Sequence, residues 1–184
     1  MRVYLERMSL RREPEFLTFV RGSRRLHNGY VAPPATPEEY RDYLKVLRRK
    51  DQEAFFVTLR DSDEMAGVVT IDDIARGSFQ YANLGYYAFA RYAGRGYMRE
   101  GVRLAVHHCF RALKLHRLEA SIQPSNQRSI EIVSQLGFRK EGIAVRYAKI
   151  AGRWRDHERW ALLADEWRTH QRVGATSVAT ADRD

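Results

Sequence analysis

What this 184-residue chain has little of narrows it first. A single cysteine, Cys109, excludes an internal disulfide framework and suits a reducing compartment. No apolar run approaches the roughly 18–20 residues that a membrane helix needs, so no membrane partner is expected. The opening residues Met1 to Arg7 lack the apolar stretch of a secretory signal, which makes a cytoplasmic location the expectation. No Cys/His spacing suits zinc, and His107-His108 have no ligand-type partner four residues on, so no metal site is expected. There is no internal repeat and no interdomain linker. One domain over residues 1–168 is predicted, with the Thr/Ser/Ala-rich residues 169–184 as a mobile tail.

Acidic residues are also short, 23 against 32 Lys and Arg, leaving a net charge of +9. The imbalance is uneven: residues 1–50 hold 12 Lys and Arg against 6 Asp and Glu. A basic face can attract RNA, the ribosome, a nucleotide or an acidic protein surface, or serve solubility alone.

What is present reads as alternating strands and helices. Arg2 to Met8 suits a strand, and Glu13 to Leu26 a helix entered through Pro14. Thr36-Pro37-Glu38-Glu39 opens a second helix, with Thr36 as N-cap and Glu39 closing a capping box. Strands follow at 54–59, 65–71 and 79–89, then a helix over 97–114 with Met98, Val102, Ala105, Val106, Cys109 and Leu113 on one face. A strand at 117–123 precedes a helix from Asn126 to Leu136 closed by Gly137, and two strands at 144–150 and 154–163 complete the domain. The order β-α-α-β-β-β-α-β-α-β-β predicts an α/β (α+β) fold with one mixed, mostly antiparallel sheet and helices on both faces. The crossover through 97–114 should make its two flanking strands parallel neighbours.

The stretch Tyr86 to Arg99 draws attention for its chemistry. An aromatic strand runs into Gly94-Arg95-Gly96 and then into a long helix. The first amides of a helix lack intrahelical acceptors and carry the positive end of its dipole, so this geometry can hold a phosphate. Neither the dinucleotide fingerprint nor a P-loop fits, because Arg99 stands where a third glycine belongs and no Gly-Lys-Ser/Thr follows. A diphosphate-bearing cofactor is the expectation.

Four further segments narrow it: Leu115-His116-Arg117-Leu118-Glu119-Ala120, Pro124-x-Asn126-x-x-Ser129, Leu136 to Gly142, and Tyr147 to His157. With Gly94-Arg95-Gly96-Tyr97-Met98 in the same order, the chain resembles the GCN5-related N-acetyltransferases (GNAT), in particular the RimJ/RimL branch that acts on ribosomal-protein N-termini. The resemblance implies the GNAT acyl-CoA N-acyltransferase fold and transfer of an acetyl group from acetyl-CoA to a primary amine. Carried over by position, the backbone of Tyr87, Ala88 and Phe89 would pair with the pantetheine arm. The amides of Gly94, Arg95, Gly96, Tyr97, Met98 and Arg99 would hold the pyrophosphate. Asn126 would hydrogen-bond the cofactor, and Ser129 would lie near its sulfur. The family's phosphate turn usually begins with Gln or Arg and ends in Gly or Ala, where this chain has Ala93 and Met98.

Candidates for proton transfer are fewer. Glu119 shares a strand face with Ser121 and Gln123, and is either a base or a salt-bridged carboxylate beside Arg117. Asn83 and Ser121 stand where relatives place a basic glutamate. Ser129 and Tyr147 could each protonate the departing thiolate, though Tyr147 also reads as a packed strand residue, as do Trp154, Trp160 and Trp167. Asp156 and His157, as strand neighbours, should face opposite sides, which suits a structural role or a contact with a peptide substrate. The acceptor is expected to be a protein N-terminal amine, on alanine or serine, shaped by residues 13–50 and the Asn28–Pro34 loop. A small amine such as a polyamine or aminoglycoside is the nearest alternative. A non-catalytic ribosome- or RNA-binding protein that senses acetyl-CoA is the alternative from another class.

Overall fold

The structure is a computed structural model and describes residues 1–169. The expected tail therefore lies outside the described residues, apart from Thr169. Seven strands form one sheet in the order β1-β2-β3-β4-β5-β7-β6. They are β1 (Val3–Arg7), β2 (Glu53–Leu59), β3 (Met65–Ala75), β4 (Tyr81–Ala88), β5 (Arg117–Ile122), β6 (Arg139–Ile150) and β7 (Arg153–Leu163). Every neighbouring pair is antiparallel except β4 and β5. These two flank the crossover helix α4 (Tyr97–Arg111), as the chain order predicts.

Each face of the sheet has its own core. Val69, Ile71, Leu84, Leu118, Ala120 and Leu162 belong to a cluster with Val102, Val106 and Cys109 of α4 and Val133 of α5 (Gln127–Gln135). On the other face Phe56, Val68 and Phe89 pack with Phe16 of α1 (Glu13–Gly22) and Tyr40 of α3 (Pro37–Val46). Helix α4 sits close on the sheet because Gly101 has no side chain: a Cβ there would lie 2.4 Å from Val57 Cγ2. Cys109 is fully buried in this core, where burial pushes its thiol up to about 12. His108 bonds Glu53 Oε2 through Nε2 at 2.7 Å.

The capping box forms as expected: Thr36 Oγ1 accepts from the Glu39 amide at 3.2 Å, and Glu39 Oε2 accepts from the Thr36 amide at 3.3 Å. The helix expected over residues 13–26 is instead two, α1 and the short α2 (Arg24–His27), broken at Ser23. The Ser23 hydroxyl donates to Phe19 O at 2.7 Å and accepts the Ala90 amide at 2.9 Å. A serine that serves the backbone in this way bends a helix, and here it also ties the bend to the end of β4. Two further expectations are corrected. Trp154 is 60% exposed and Tyr147 is 42% exposed, because both lie on the solvent side of the outer β6–β7 hairpin rather than in a core.

Candidate active site

β4 and β5 pair only from Tyr81–Arg117 to Asn83–Glu119 and then diverge. β4 stays paired with β3 as far as Ala88, while β5 stays paired with β7 as far as Ile122. The sheet therefore opens down its middle. A groove of about 940 Å³ occupies the opening, lined by Gly85 to Ala88 on one side and Ser121 to Gln123 on the other. Below it lie Ala93 to Gly96 with Met98 and Arg99, and α5 contributes its N-terminal residues.

At the α4 end the backbone is arranged as an anion cradle. Gly94 and Gly96 adopt φ of +78° and +81°, conformations that glycine takes without penalty. No amide from residue 94 to residue 99 donates a hydrogen bond among the described residues; the first intrahelical donor is Glu100, to Gly96 O. Six consecutive free amides at a helix N-terminus fit a phosphate or diphosphate. The turn is braced from outside, since Arg2 donates to Arg95 O at 3.1 Å and pairs with Glu100 at 2.5 Å. Ala93 at the head of the turn removes a side-chain donor and leaves the backbone cradle intact.

The second helix entering the groove is α5. Asn126 caps it, its Oδ1 accepting the Ser129 amide at 3.3 Å. Its Nδ2 makes no hydrogen bond among the described residues, nor does the Ser129 hydroxyl. Tyr86 fixes this helix against β4 by donating its hydroxyl to Ser129 O at 2.7 Å, and burial raises the Tyr86 pKa well above that of an ordinary phenol.

The α1–α3 side closes over the groove through contacts that no sequence motif announces. Gln123 donates to Gly29 O at 2.7 Å, tying the Asn28–Pro34 loop to the end of β5, and Tyr30 and Val31 line the opening. His27, only 5% exposed, donates Nε2–H to Ala88 O at 2.8 Å, since a carbonyl can only accept. Its Nδ1 is buried without a partner, and burial lowers its pKa, so the ring is neutral near pH 7.

The expected site residues separate on this geometry. Tyr87, Ala88, Gly94, Arg95, Gly96, Met98, Arg99, Asn126 and Ser129 all line the groove. Phe89 does not: its ring is fully buried, and its amide donates to Ala66 O at 2.8 Å. Tyr97 turns its ring away, against Tyr92 and under the Arg2 guanidinium. Glu119 is also outside the groove. It accepts from Arg117 Nε at 2.8 Å and pairs with Arg159 through its other oxygen, so both lone-pair faces are committed to guanidinium groups. Asp156 and His157 do face opposite sides: Asp156 accepts the Arg146 amide at 2.7 Å, and His157 lines the groove. Among the described residues, no group of three or more His, Cys, Asp or Glu could hold a metal ion. No described helix is long and apolar enough to cross a membrane.

Comparison with known proteins places this geometry. The model of the acetyltransferase (GNAT) domain matches residues 2–139. The protein named "Probable N-acetyltransferase YjcK" of Bacillus subtilis (strain 168) is 38% identical over 117 residues, covering 64% of this chain and 65% of that protein. The ribosomal protein uS5-alanine N-acetyltransferase of Escherichia coli (strain K12) is 39% identical over 110 residues, 59% of this chain and 57% of that one. The matches thus span less than two thirds of either relative's length. The solved structure of Mycobacterium smegmatis RimJ in complex with CoA-disulfide superposes with a TM-score of 0.86 at 25% identity, covering 95% of this chain and 89% of that one.

Proposed function

Since the chain belongs to the GNAT acetyltransferase family, we propose that it binds acetyl-CoA in the groove between β4 and β5 and transfers the acetyl group to the N-terminal amine of a protein. The observation that carries this reading is the run of six free amides from Gly94 to Arg99, set at the foot of the opened sheet. Those amides suit the pyrophosphate, with Arg95 and Arg99 adding positive charge at the groove wall. The unpaired edge of β4 at Tyr87 and Ala88 suits an extended pantetheine arm, although Ala88 O is already taken by His27. Asn126 offers its free Nδ2 to a carbonyl of that arm.

When bound, acetyl-CoA supplies an activated acyl group as its thioester. The chain's own residues then orient, exclude water and handle protons. The Ser129 hydroxyl, free of internal partners in the first turn of α5, donates a proton to the departing sulfur. No described cysteine lines the groove, so the acceptor attacks directly with both substrates bound.

The acceptor is the N-terminal amine of a ribosomal protein, on alanine or serine, as supported by the uS5-alanine acetyltransferase likeness. The charge distribution supports a partner of that kind. Of the basic residues in the first third, Arg2, Arg7, Arg11, Arg12, Arg41 and Arg49 are ion-paired. Arg21, Arg24 and Arg25 are exposed on α1 and α2 with no ion pair among the described residues, one turn from the groove-lining Leu26 and His27. A cationic rim at the mouth of the groove suits RNA or an acidic face of the ribosome.

The test is release of free CoA thiol from acetyl-CoA over a panel of amines. Turnover is expected on peptides that begin with alanine or serine. Turnover on polyamines alone would overturn the acceptor, and acetyl-CoA binding without turnover on peptides or intact ribosomal proteins would overturn the transferase.

A further inference from the structure

The reaction proposed above needs a group to take the proton that the amine sheds, and Glu119 is unsuited, since both its oxygens face guanidinium groups outside the groove. His157 meets each geometric requirement. It lies on β7, on the sheet face shared by Ser121 and Gln123, because β7 runs antiparallel to β5 with Arg159 opposite Ser121. Its side chain is 93% buried by its 7% residual exposure, and it lines the groove beside Ser121 and Gln123. Its Nδ1 sits 3.0 Å from Arg155 O. That carbonyl can only accept, so Nδ1 carries the hydrogen, and the neutral ring presents Nε2 as a bare lone pair. No described residue hydrogen-bonds Nε2, and it is not among the sealed, unpartnered polar atoms of the interior. The ring is held at its edge by Tyr147, 5.4 Å between centroids, with the Arg159 guanidinium on that tyrosine ring.

We infer that His157 is the proton acceptor for the attacking amine, with Nε2 facing the acceptor in the groove and Nδ1 locked to Arg155 O. The inference rests on the transferase reading. In the transfer, the amine nitrogen forms the new bond to the acyl carbon, and the carbon–sulfur bond breaks with its electron pair going to sulfur. The proton lost by nitrogen goes to Nε2 of His157, and the sulfur takes one from the Ser129 hydroxyl. His157 later returns its proton to solvent, and Ser129 is replenished from it.

Two variants test this in the full chain. His157→Asn keeps an amide N–H where Nδ1 stands, so the bond to Arg155 O survives while Nε2 is deleted. Its kcat should fall by about 10²-fold or more, the usual scale for a lost general base. Its calorimetric affinity for acetyl-CoA and its melting temperature should match those of the wild type. His157→Ala should regain activity with added imidazoles, the rate rising with the basicity of rescuers of equal size. A kcat within threefold of wild type in His157→Asn, or rescue indifferent to basicity, would overturn the assignment and leave the transferase reading standing. A wild-type chain that binds acetyl-CoA yet acetylates no amine would overturn both.

Discussion

Asn83 and Glu119 form the last in-register pair between β4 and β5, and two residues further on Gly85 and Ser121 face each other across open space. The divergence has a local cause on each side. β4 continues to follow β3, and β5 continues to follow β7, so each strand keeps a full ladder on its outer edge while the inner edges separate. The backbone groups exposed along the opening are those a ligand can pair with at no cost to the sheet.

Replacing Gly96 by Glu tests the anion cradle. The substitution places a carboxylate at the free amides and a side chain at φ +81°, beside Arg2 Nη2. The dissociation constant for acetyl-CoA should rise at least about tenfold, the ratio that 1.4 kcal/mol represents. Backbone strain should cost about 1 kcal/mol of stability. An unchanged calorimetric affinity would remove the pyrophosphate from this turn.

Asn126 and Ser129 should part company. Asn126→Ala deletes a helix cap, so stability should fall by about 1 kcal/mol and the melting temperature by about 2–4 °C. Ser129→Ala deletes a hydroxyl with no internal bond, so stability should stay within about 0.5 kcal/mol. Its kcat should drop on the order of 10²-fold if Ser129 supplies the proton to sulfur. Wild-type turnover in Ser129→Ala would move that proton to solvent.

Glu119→Gln separates ion pairing from chemistry. Arg117 and Arg159 would lose their shared carboxylate, which is 14% exposed, and stability should fall by about 1–3 kcal/mol. Turnover should remain within about threefold of wild type. A collapse in kcat with intact folding would return the proton acceptor to Glu119.

His27 should make stability pH-dependent. Its pKa is lowered on folding by burial, against the pull of its bond to Ala88 O. Above about pH 6.5 the ring is neutral in both the folded and unfolded chain and contributes no slope. As pH falls below that value toward the lower folded pKa, the unfolded chain takes up the proton first, so folding stability declines. The decline between pH 7 and 5, measured by urea unfolding, should be shallower in His27→Gln. An identical slope would show that other groups carry it.

Much of this molecule is written locally. The capping box at Thr36 and Glu39, the Asn126 cap, the Gly94–Gly96 turn and the period of the α4 face each depend on residues within a few positions of one another. Backbone sterics and orphan amides act over one turn, so their outcome is legible in the linear order. The parallel β4–β5 pair follows likewise from the handedness of a crossover helix. The rest required neighbours far along the chain. Ser23 breaks its helix because Ala90 offers an amide 67 residues away, and His27 joins the site because Ala88 offers a carbonyl. Glu119 leaves the site because β7, inserted between β5 and β6, brings Arg159 to it. The same insertion turns His157 into the groove. Hydrogen bonds and ion pairs of this kind depend on which strands become neighbours, a choice made by burial over the whole sheet, and only the tertiary structure decides it.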